Sequence, residues 1–412
     1  MMTWINEVLK SHEEVESPRN FWLWSALAAI SAVVKDNVWL NRGGLYKLYP
    51  NIYVMLHADS GMKKGPPVNF ARNLVKQVNN TRIIYGRSSI QGVLKELGSP
   101  AYSLPGGQIV NQKSVGFYCA SEFSSSIVKD DAAMKILTDL YDRHYNEGDW
   151  KQLLKMEQFT LKDPMLTMLT ATNEPMMKGM IGESETKGGF FARTFVVYEN
   201  QEQAVNALVR PLKHPPDMSH LVDYLKELSN LKGDFYTSLY KDEDITQVGQ
   251  IYEDWYIQLK LNIKQMEVKD PSGTLNRLGD SVLKIAMLLS LAKKPEVEIT
   301  EETMSEAIAE GEKLIGNIRR ANVNEGSKEK FADQKAVIIK ELVNREIHVI
   351  SRTQLMQKYT YEFNATELDE ILLSLEQAGM VRLEMQGNQQ MIVMPGEIAH
   401  KMINFFKGKN KK

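Results

Sequence analysis

Apolar positions change their period several times along the chain. From Trp4 to Val34 they recur at helical spacing, through Trp22, Ala26, Ala29, Ile30 and Val33, and predict a helical stretch. Val38 to Tyr49 is short, aromatic and turn-rich, the pattern of a hairpin. From Tyr53 to about Tyr198, strand-like apolar runs alternate with helical stretches. The runs are Tyr53–Leu56, Arg82–Tyr85, Val115–Ala120, Met165–Thr170 and Thr194–Tyr198, and they predict an α/β domain with a largely parallel sheet. Residues 219–320 read as almost wholly helical, including the apolar helix Val282–Ala292, and Asn322–Phe331 is polar enough for a linker. Beyond it come helices over Ala336–Asn344, from Ser351, which can cap it, and over Thr366–Ala378 up to Gly379. Two strands, Met380–Met385 and Gln390–Met394, then flank a Gln386-Gly-Asn turn. Three helices and a hairpin describe a winged helix. Four regions result: an N-terminal helical region (1–45), an α/β core (46–215), a helical lid region (216–321) and a winged-helix domain (332–412).

The richest local pattern lies where the first of those strands ends. Asn51-Ile-Tyr-Val-Met-Leu opens into Ala58-Asp59-Ser60-Gly61-Met62-Lys63-Lys64-Gly65, followed by a helix predicted over Pro66–Val78. Strand, phosphate-sized loop and helix together aim backbone N–H groups at a polyphosphate, and a lysine neutralises its charge. Set against G-x-x-x-x-G-K-[ST] and aligned on Lys64, the first Gly becomes Ala58, the second Lys63, and the hydroxyl residue Gly65. Gly61 supplies a glycine inside the loop. An ordinary strand-to-helix turn is the competing interpretation.

Three later segments fit the same chemistry. The strand Ser114-Val-Gly-Phe-Tyr-Cys-Ala-Ser-Glu122 ends in a carboxylate that holds Mg²⁺, directly or through water, or polarises an attacking water. Ser121 stands where an Asp is usual, and a solvent-exposed strand end is the bland alternative. The strand from Met165 ends at Thr172-Asn173-Glu174-Pro175, where the Asn173 amide can both donate to and accept from a γ-phosphate or the lytic water. A turn is the simpler role for Asn-Glu-Pro. Lys187-Gly-Gly-Phe-Phe-Ala-Arg193 runs into the next strand and sets Arg193 where a cation inserted in trans would stand. A surface ion pair is its plainer role. Arg277, in Leu275-Asn-Arg277, is a second candidate, reaching the nucleotide from the lid.

Composition narrows the setting. In 412 residues, 50 basic side chains against 52 acidic ones exclude a uniformly basic nucleic-acid coat, though a local basic groove is compatible. One cysteine, Cys119, precludes an internal disulfide and suits a reducing compartment. Phe21–Val34 is cut short by Lys35 and Asp36 before it could span a membrane. Without a basic region preceding an apolar core at the N-terminus, no secretory signal is expected. A cytoplasmic protein of a bacterial cell or phage-infected host is the expectation.

Glu122 in Gly-Phe-Tyr-Cys-Ala-Ser-Glu-Phe, Asn173 in Thr-Ala-Thr-Asn-Glu-Pro, and Arg193 in Phe-Phe-Ala-Arg-Thr-Phe-Val-Val resemble the nucleotide-site motifs of minichromosome-maintenance AAA+ helicases. Asp59-Ser-Gly-Met-Lys-Lys-Gly-Pro-Pro-Val, Lys162-Asp-Pro164 and Gly188-Gly-Phe-Phe-Ala-Arg are more similar to a phage and prophage P-loop family encoded near replication genes. The likeness covers about residues 20–295. It implies a P-loop NTPase core of AAA+/RecA-like type that binds ATP and Mg²⁺. Lys64 would be the phosphate lysine, Glu122 the acidic-strand carboxylate, Asn173 the sensor and Arg193 the finger. It further implies a hexameric ring, in which sites form between subunits, that passes single-stranded or forked DNA and meets other replication proteins. By the same likeness a DNA-contacting hairpin would fall at Gly148–Lys162, with Lys151 and Lys155 as phosphate contacts and Trp150 as a base stacker. A surface hairpin with a half-buried Trp is the alternative there.

These features point first to an ATP-dependent, replicative helicase-like DNA motor. A nucleotide-binding scaffold or helicase loader with little hydrolysis is the second reading, favoured by Gly65 and Ser121. A DNA-binding regulator centred on the winged helix is the third, opposed by Glu367, Asp369, Glu370 and Glu376 on its third helix.

Overall fold

The computed structural model describes residues 3–402 apart from 79–80, 87, 100, 103–108, 111–112, 124–126, 128–129, 143–147, 154–157, 174–175, 178–188, 207–211, 243, 266–272, 323–331, 346, 360–364, 388 and 401. The chain divides into two compact units, Met1–Asn322 and Val323–Lys412.

The first unit is built on a five-stranded sheet of β1 (Tyr53–His57), β2 (Ile83–Tyr85), β3 (Val115–Ala120), β6 (Met165–Thr172) and β7 (Thr194–Tyr198). Their order is β7-β1-β6-β3-β2, and every pairing is parallel. A hairpin of β4 (Trp150–Leu153) and β5 (Gln158–Leu161) precedes β6. β1 and β6 are buried at every residue, which is why they read as runs rather than alternations: a parallel sheet is covered on both faces. Successive side chains still serve different cores. Val54, Leu56, Leu169 and Ala171 join one cluster, while Tyr53, Met55, Met168 and Val196 join the other.

Helices α1 (Trp4–Ser11), α2 (Arg19–Val34) and α3 (Gly65–Lys76) supply the first face. α4 (Ile90–Gly98) and α5 (Asp131–Tyr141) supply the second. The helical stretch predicted over Trp4–Val34 is two helices. Pro18 caps α2, and its fixed φ and missing N–H separate α2 from α1. α2 is apolar around its whole circumference and is accordingly buried on all sides. Ser31 Oγ lies 2.8 Å from Thr167 Oγ1, which fastens α2 to β6.

α6 (Met218–Asn230), α7 (Gln247–Gln265), α8 (Thr274–Lys293) and α9 (Glu301–Asn322) complete the unit. Trp4 Nε1 donates to Leu221 O at 3.1 Å, and α8 packs against both α1 and α2. Residues 1–45 and 216–321 therefore share one core with the sheet. The hairpin expected before β1 is present as Val38–Asn41 paired with Lys47–Leu48, and Gly233–Asp234 adds a parallel strand to it.

The second unit contains α10 (Ala332–Val343), β8 (Val349–Ser351), α11 (Arg352–Lys358), α12 (Ala365–Gln377), β9 (Arg382–Gln386) and β10 (Gln389–Val393). Its antiparallel sheet has the order β8-β10-β9, so a short strand joins the expected hairpin. Ser351 caps α11 reciprocally with Gln354, a capping box. Gly379 and Gly387 take left-handed φ of 69° and 62°, at the end of α12 and in the hairpin turn. Asp369, Glu370 and Glu376 of α12 are exposed, and Arg352 makes a bidentate pair with Asp369 (Nε–Oδ1 2.7 Å, Nη2–Oδ2 3.0 Å).

Among the described residues no helix is long and apolar enough to cross a membrane.

Candidate functional site

Three chain segments leave the same edge of the sheet side by side. Thr172 at the end of β6 is level with His57 at the end of β1, and Thr170 is level with Ala120 at the end of β3. Ala58 N donates to Thr172 O at 3.5 Å, and Phe123 N donates to Ala171 O at 2.8 Å. The 58–65 loop, Asn173 and Glu122 thus follow strands β1, β6 and β3, with Asn173 on the strand between the other two. In a parallel sheet this carboxyl edge is where ligands collect, because the loops there are free to vary while the strands hold them.

The loop is folded around Lys64. Its Nζ donates to Ala58 O at 2.7 Å and Asp59 O at 2.6 Å. Partial burial lowers its pKa, and the charges of Asp59 and Glu122 act in the opposite direction, so Glu122 lies within electrostatic reach of this ammonium. Lys63 instead points outward: its φ is 45°, it is exposed, and its Nζ stands 3.6 Å from Glu16 Oε2. Gly61 takes φ 95°, a conformation that suits glycine, and a Cβ there would meet only open space. Met62 packs against the first core cluster and anchors the loop from below. Asp59 and Ser60 are exposed.

The start of α3 departs from an ordinary phosphate-binding helix. Gly65 is its first residue, and Pro66 and Pro67 follow. Two of the first-turn positions therefore have no N–H to offer an anion, and the amides from Ser60 to Gly65 are left to do so. Gly65 offers no hydroxyl for a metal. Glu122 is the carboxylate that follows β3 at this edge and Ser60 the nearest loop hydroxyl in sequence; these are the residues that would hold a magnesium ion carried by a nucleotide, through its waters. Among the described residues no cluster of three or more His, Cys, Asp or Glu side chains gathers to hold a metal ion.

Asn173 is half-buried, and its Oδ1 accepts from Met176 N at 3.1 Å while Met177 N bonds to Asn173 O at 2.9 Å. The bond from Met176 N holds the Asn173 amide by its oxygen, which makes Nδ2 the end that can meet a ligand. The turn expected of Asn-Glu-Pro falls on the next two residues. Glu174 and Pro175 lie outside the described residues.

The two arginines sit elsewhere. Arg193 precedes β7, at the opposite edge of the sheet from the loop, and is buried. Its Nε donates to Asp142 Oδ1 at 2.9 Å, its Nη2 to Asp142 Oδ2, and its Nη1 to Gly189 O at 2.7 Å. Arg277 Nη1 is 3.8 Å from Asp142 Oδ1. Arg277, expected to reach the loop's nucleotide from a lid, thus stands beside Arg193 and away from the loop of its own chain. Both follow from the fold: α5 runs back along the sheet and delivers Asp142 to the amino edge.

Next to this pair is a group that the sequence reading passed over. Lys284 of α8 is buried, and its Nζ donates to Asn51 O and Asn51 Oδ1, both at 2.9 Å. It lies 3.8 Å from the centre of the Tyr141 ring. Burial pulls its pKa down to about 7; Asp142 and Asp280 oppose that shift, and Arg193 and Arg277 add to it. Asn51 Nδ2 in turn donates to Tyr141 O at 2.9 Å. A lone lysine inside the apolar run Val282–Ala292 was the available signal.

The β4–β5 hairpin rises from that amino edge as well, since Ser114 N bonds Lys162 O at 2.7 Å just before β3 begins. Trp150 is half-buried, and its Nε1 donates to Asp139 Oδ2 at 3.2 Å. Lys151 is exposed, and Lys155 lies outside the described residues.

No protein-family model matches the chain, and no curated protein matches it.

Proposed function

We propose that the first unit binds ATP with Mg²⁺ at the 58–65 loop and hydrolyses it to drive a helicase-like ring, a hexamer, along single-stranded or forked DNA, in a phage or mobile element. The observation that carries the nucleotide reading is the meeting of the Lys64 loop, Asn173 and Glu122 at one sheet edge, with Asn173 on the intervening strand. The five-stranded parallel order is compatible with a P-loop core of AAA+/RecA-like type. The DNA motor itself rests on the sequence resemblance, and the exposure of Lys151 and the three-helix second unit agree with it.

Each side chain has a task set by its chemistry. Lys64 exchanges the carbonyls of Ala58 and Asp59 for phosphate oxygens, which as anions are the stronger acceptors. Glu122 orients the attacking water as a base, and Asn173 Nδ2 donates to a γ-phosphate oxygen. Magnesium, when bound, neutralises charge on the phosphates. Arg193 and Arg277 are too far round the sheet to serve their own loop. An arginine from this edge would act on a neighbouring subunit's nucleotide, and Arg193 would first have to release Asp142.

Lys64→Ala is expected to abolish retention of radiolabelled ATP. Glu122→Gln should retain ATP yet lose turnover by roughly a hundredfold or more. Retention of ATP by Lys64→Ala at the wild-type level would sink the proposal. The second reading, a nucleotide-binding scaffold or helicase loader, draws on a specific observation: Gly65, Pro66 and Pro67 remove a hydroxyl and two amides from the phosphate side. Clear ATP binding with no turnover, with or without single-stranded DNA, would favour it.

A further inference from the structure

We infer that Lys63 is a second phosphate-binding cation of the loop, and that Glu16 holds it aside until a nucleotide arrives. The inference rests on the loop being the nucleotide site, and it adds a residue and a switch to that site.

Three observations on separate elements lead to it. The first is a shortage of donors: Pro66 and Pro67 occupy first-turn positions of α3 and have no N–H, so backbone amides there cannot neutralise a polyphosphate. Side-chain cations must supply what those amides do not. The second is the position of Lys63, adjacent to Lys64, in a left-handed conformation (φ 45°) that a lysine adopts at some strain. The pattern has glycine at this point, so a lysine that tolerates the conformation needs a reason to be there. The third is what its ammonium does. Lys63 Nζ is 3.6 Å from Glu16 Oε2, and Glu16 Oε1 accepts from Asn206 N at 3.3 Å.

Glu16 is itself held in place. Gln203 N donates to Glu16 O at 3.2 Å, and Gln203 Nε2 donates to His12 O at 2.6 Å. The segment after β7 thereby straps the α1–α2 turn beside the loop. Asn20 Nδ2 donates to Glu199 Oε1 at 2.5 Å, and Glu199 N to His57 O at 3.1 Å, which carries the strap to the last residue of β1. A carboxylate in this setting mimics a phosphate oxygen towards Lys63. A triphosphate bound in the loop would offer the same ammonium more negative charge than one carboxylate does. The pair is exposed enough for the exchange to cost little, since a surface ion pair contributes only modestly.

The test is MgATP affinity, by titration calorimetry on the full chain, for wild type, Lys63→Gln, Lys63→Arg, Glu16→Gln and the Glu16→Gln/Lys63→Gln double variant. Lys63→Gln should weaken binding about tenfold, the worth of one charge-assisted hydrogen bond, and Lys63→Arg should restore most of it. Glu16→Gln should tighten binding about two- to fivefold, and the double variant should match Lys63→Gln alone. If the wild type binds MgATP and Lys63→Gln binds it equally well, the second cation is refuted and the nucleotide site stands. If Glu16→Gln tightens binding as much without Lys63 as with it, Glu16 acts as bulk negative charge and the switch is refuted. If the wild type binds no MgATP, the nucleotide reading falls and takes this inference with it.

Discussion

At the scale of single residues, the most consequential side chain away from the loop is Asp142. It is buried, and it accepts two hydrogen bonds from Arg193, itself buried, with Arg277 close by. Removing one partner of a buried pair leaves the other charge without compensation, which costs about 3–5 kcal/mol. Asp142→Ala should lower the urea stability of the first unit by about that amount. Arg193→Ala should lower it too, whereas an arginine serving only a neighbour's nucleotide would leave it unchanged. Lys284 makes a second prediction. Its folded pKa, about 7, is below the usual lysine value of 10.5. Between those values the unfolded chain holds a proton that the folded chain has shed, so this group's contribution to stability rises with pH across that window. Below it both states are protonated, and the penalty of a buried ammonium is full. Lys284→Met should therefore show a smaller rise in urea midpoint from pH 7 to pH 9 than the wild type. Equal slopes would mean that the lysine stays charged in the fold.

Individual elements show how far local pattern reaches. The runs Val115–Ala120 and Thr194–Tyr198 are strands with the bounds their hydrophobicity predicts, because each is short, apolar and bounded by polar residues. The stretch Trp4–Val34 was legible as helix but not as two helices, since a helical period continues across a turn and only Pro18 marks the break. β8, three residues long, is too short for a period to register. α11 is the clearest success of capping logic: Ser351 accepts from Gln354 N, and Gln354 reaches back to Ser351 N. Replacing Ser351 with Ala should cost the second unit about 1 kcal/mol. A melting curve that leaves this unit unmoved would show that packing of Leu355, not the cap, sets the start of the helix.

For the whole molecule, the separation into two compact units has a thermodynamic consequence. The second unit has its own core, with Ile338, Leu342, Leu368, Ile371, Leu372 and Ile392 buried together. Two cores that share no cluster need not unfold together, and chains of this kind depart from two-state behaviour. Calorimetry should resolve two transitions, with Ser351→Ala displacing one and Asp142→Ala the other. A single transition moved by both substitutions would show that the units unfold as one. The first unit, by contrast, is less divisible than the hydrophobic pattern along the chain implies. The regions read as N-terminal helices and helical lid bury Trp4, α2 and α8 in one cluster with the sheet.

What the sequence by itself determined was local: where strands and helices run, where a glycine-bearing loop with two lysines follows a strand, and that Ser351 caps a helix. Those features depend on neighbours a few residues away, and hydrophobic period reports them directly. Which lysine turns inward, and what Arg193, Arg277 and Lys284 do, was decided by tertiary structure alone. The order of parallel strands sends Glu122 and Asn173 to one edge and brings residues 51, 142, 193, 277 and 284 to the other. No spacing along the chain encodes that meeting. It arises because a parallel sheet separates the ends of its strands, and a buried charge must find its partner wherever the fold delivers one.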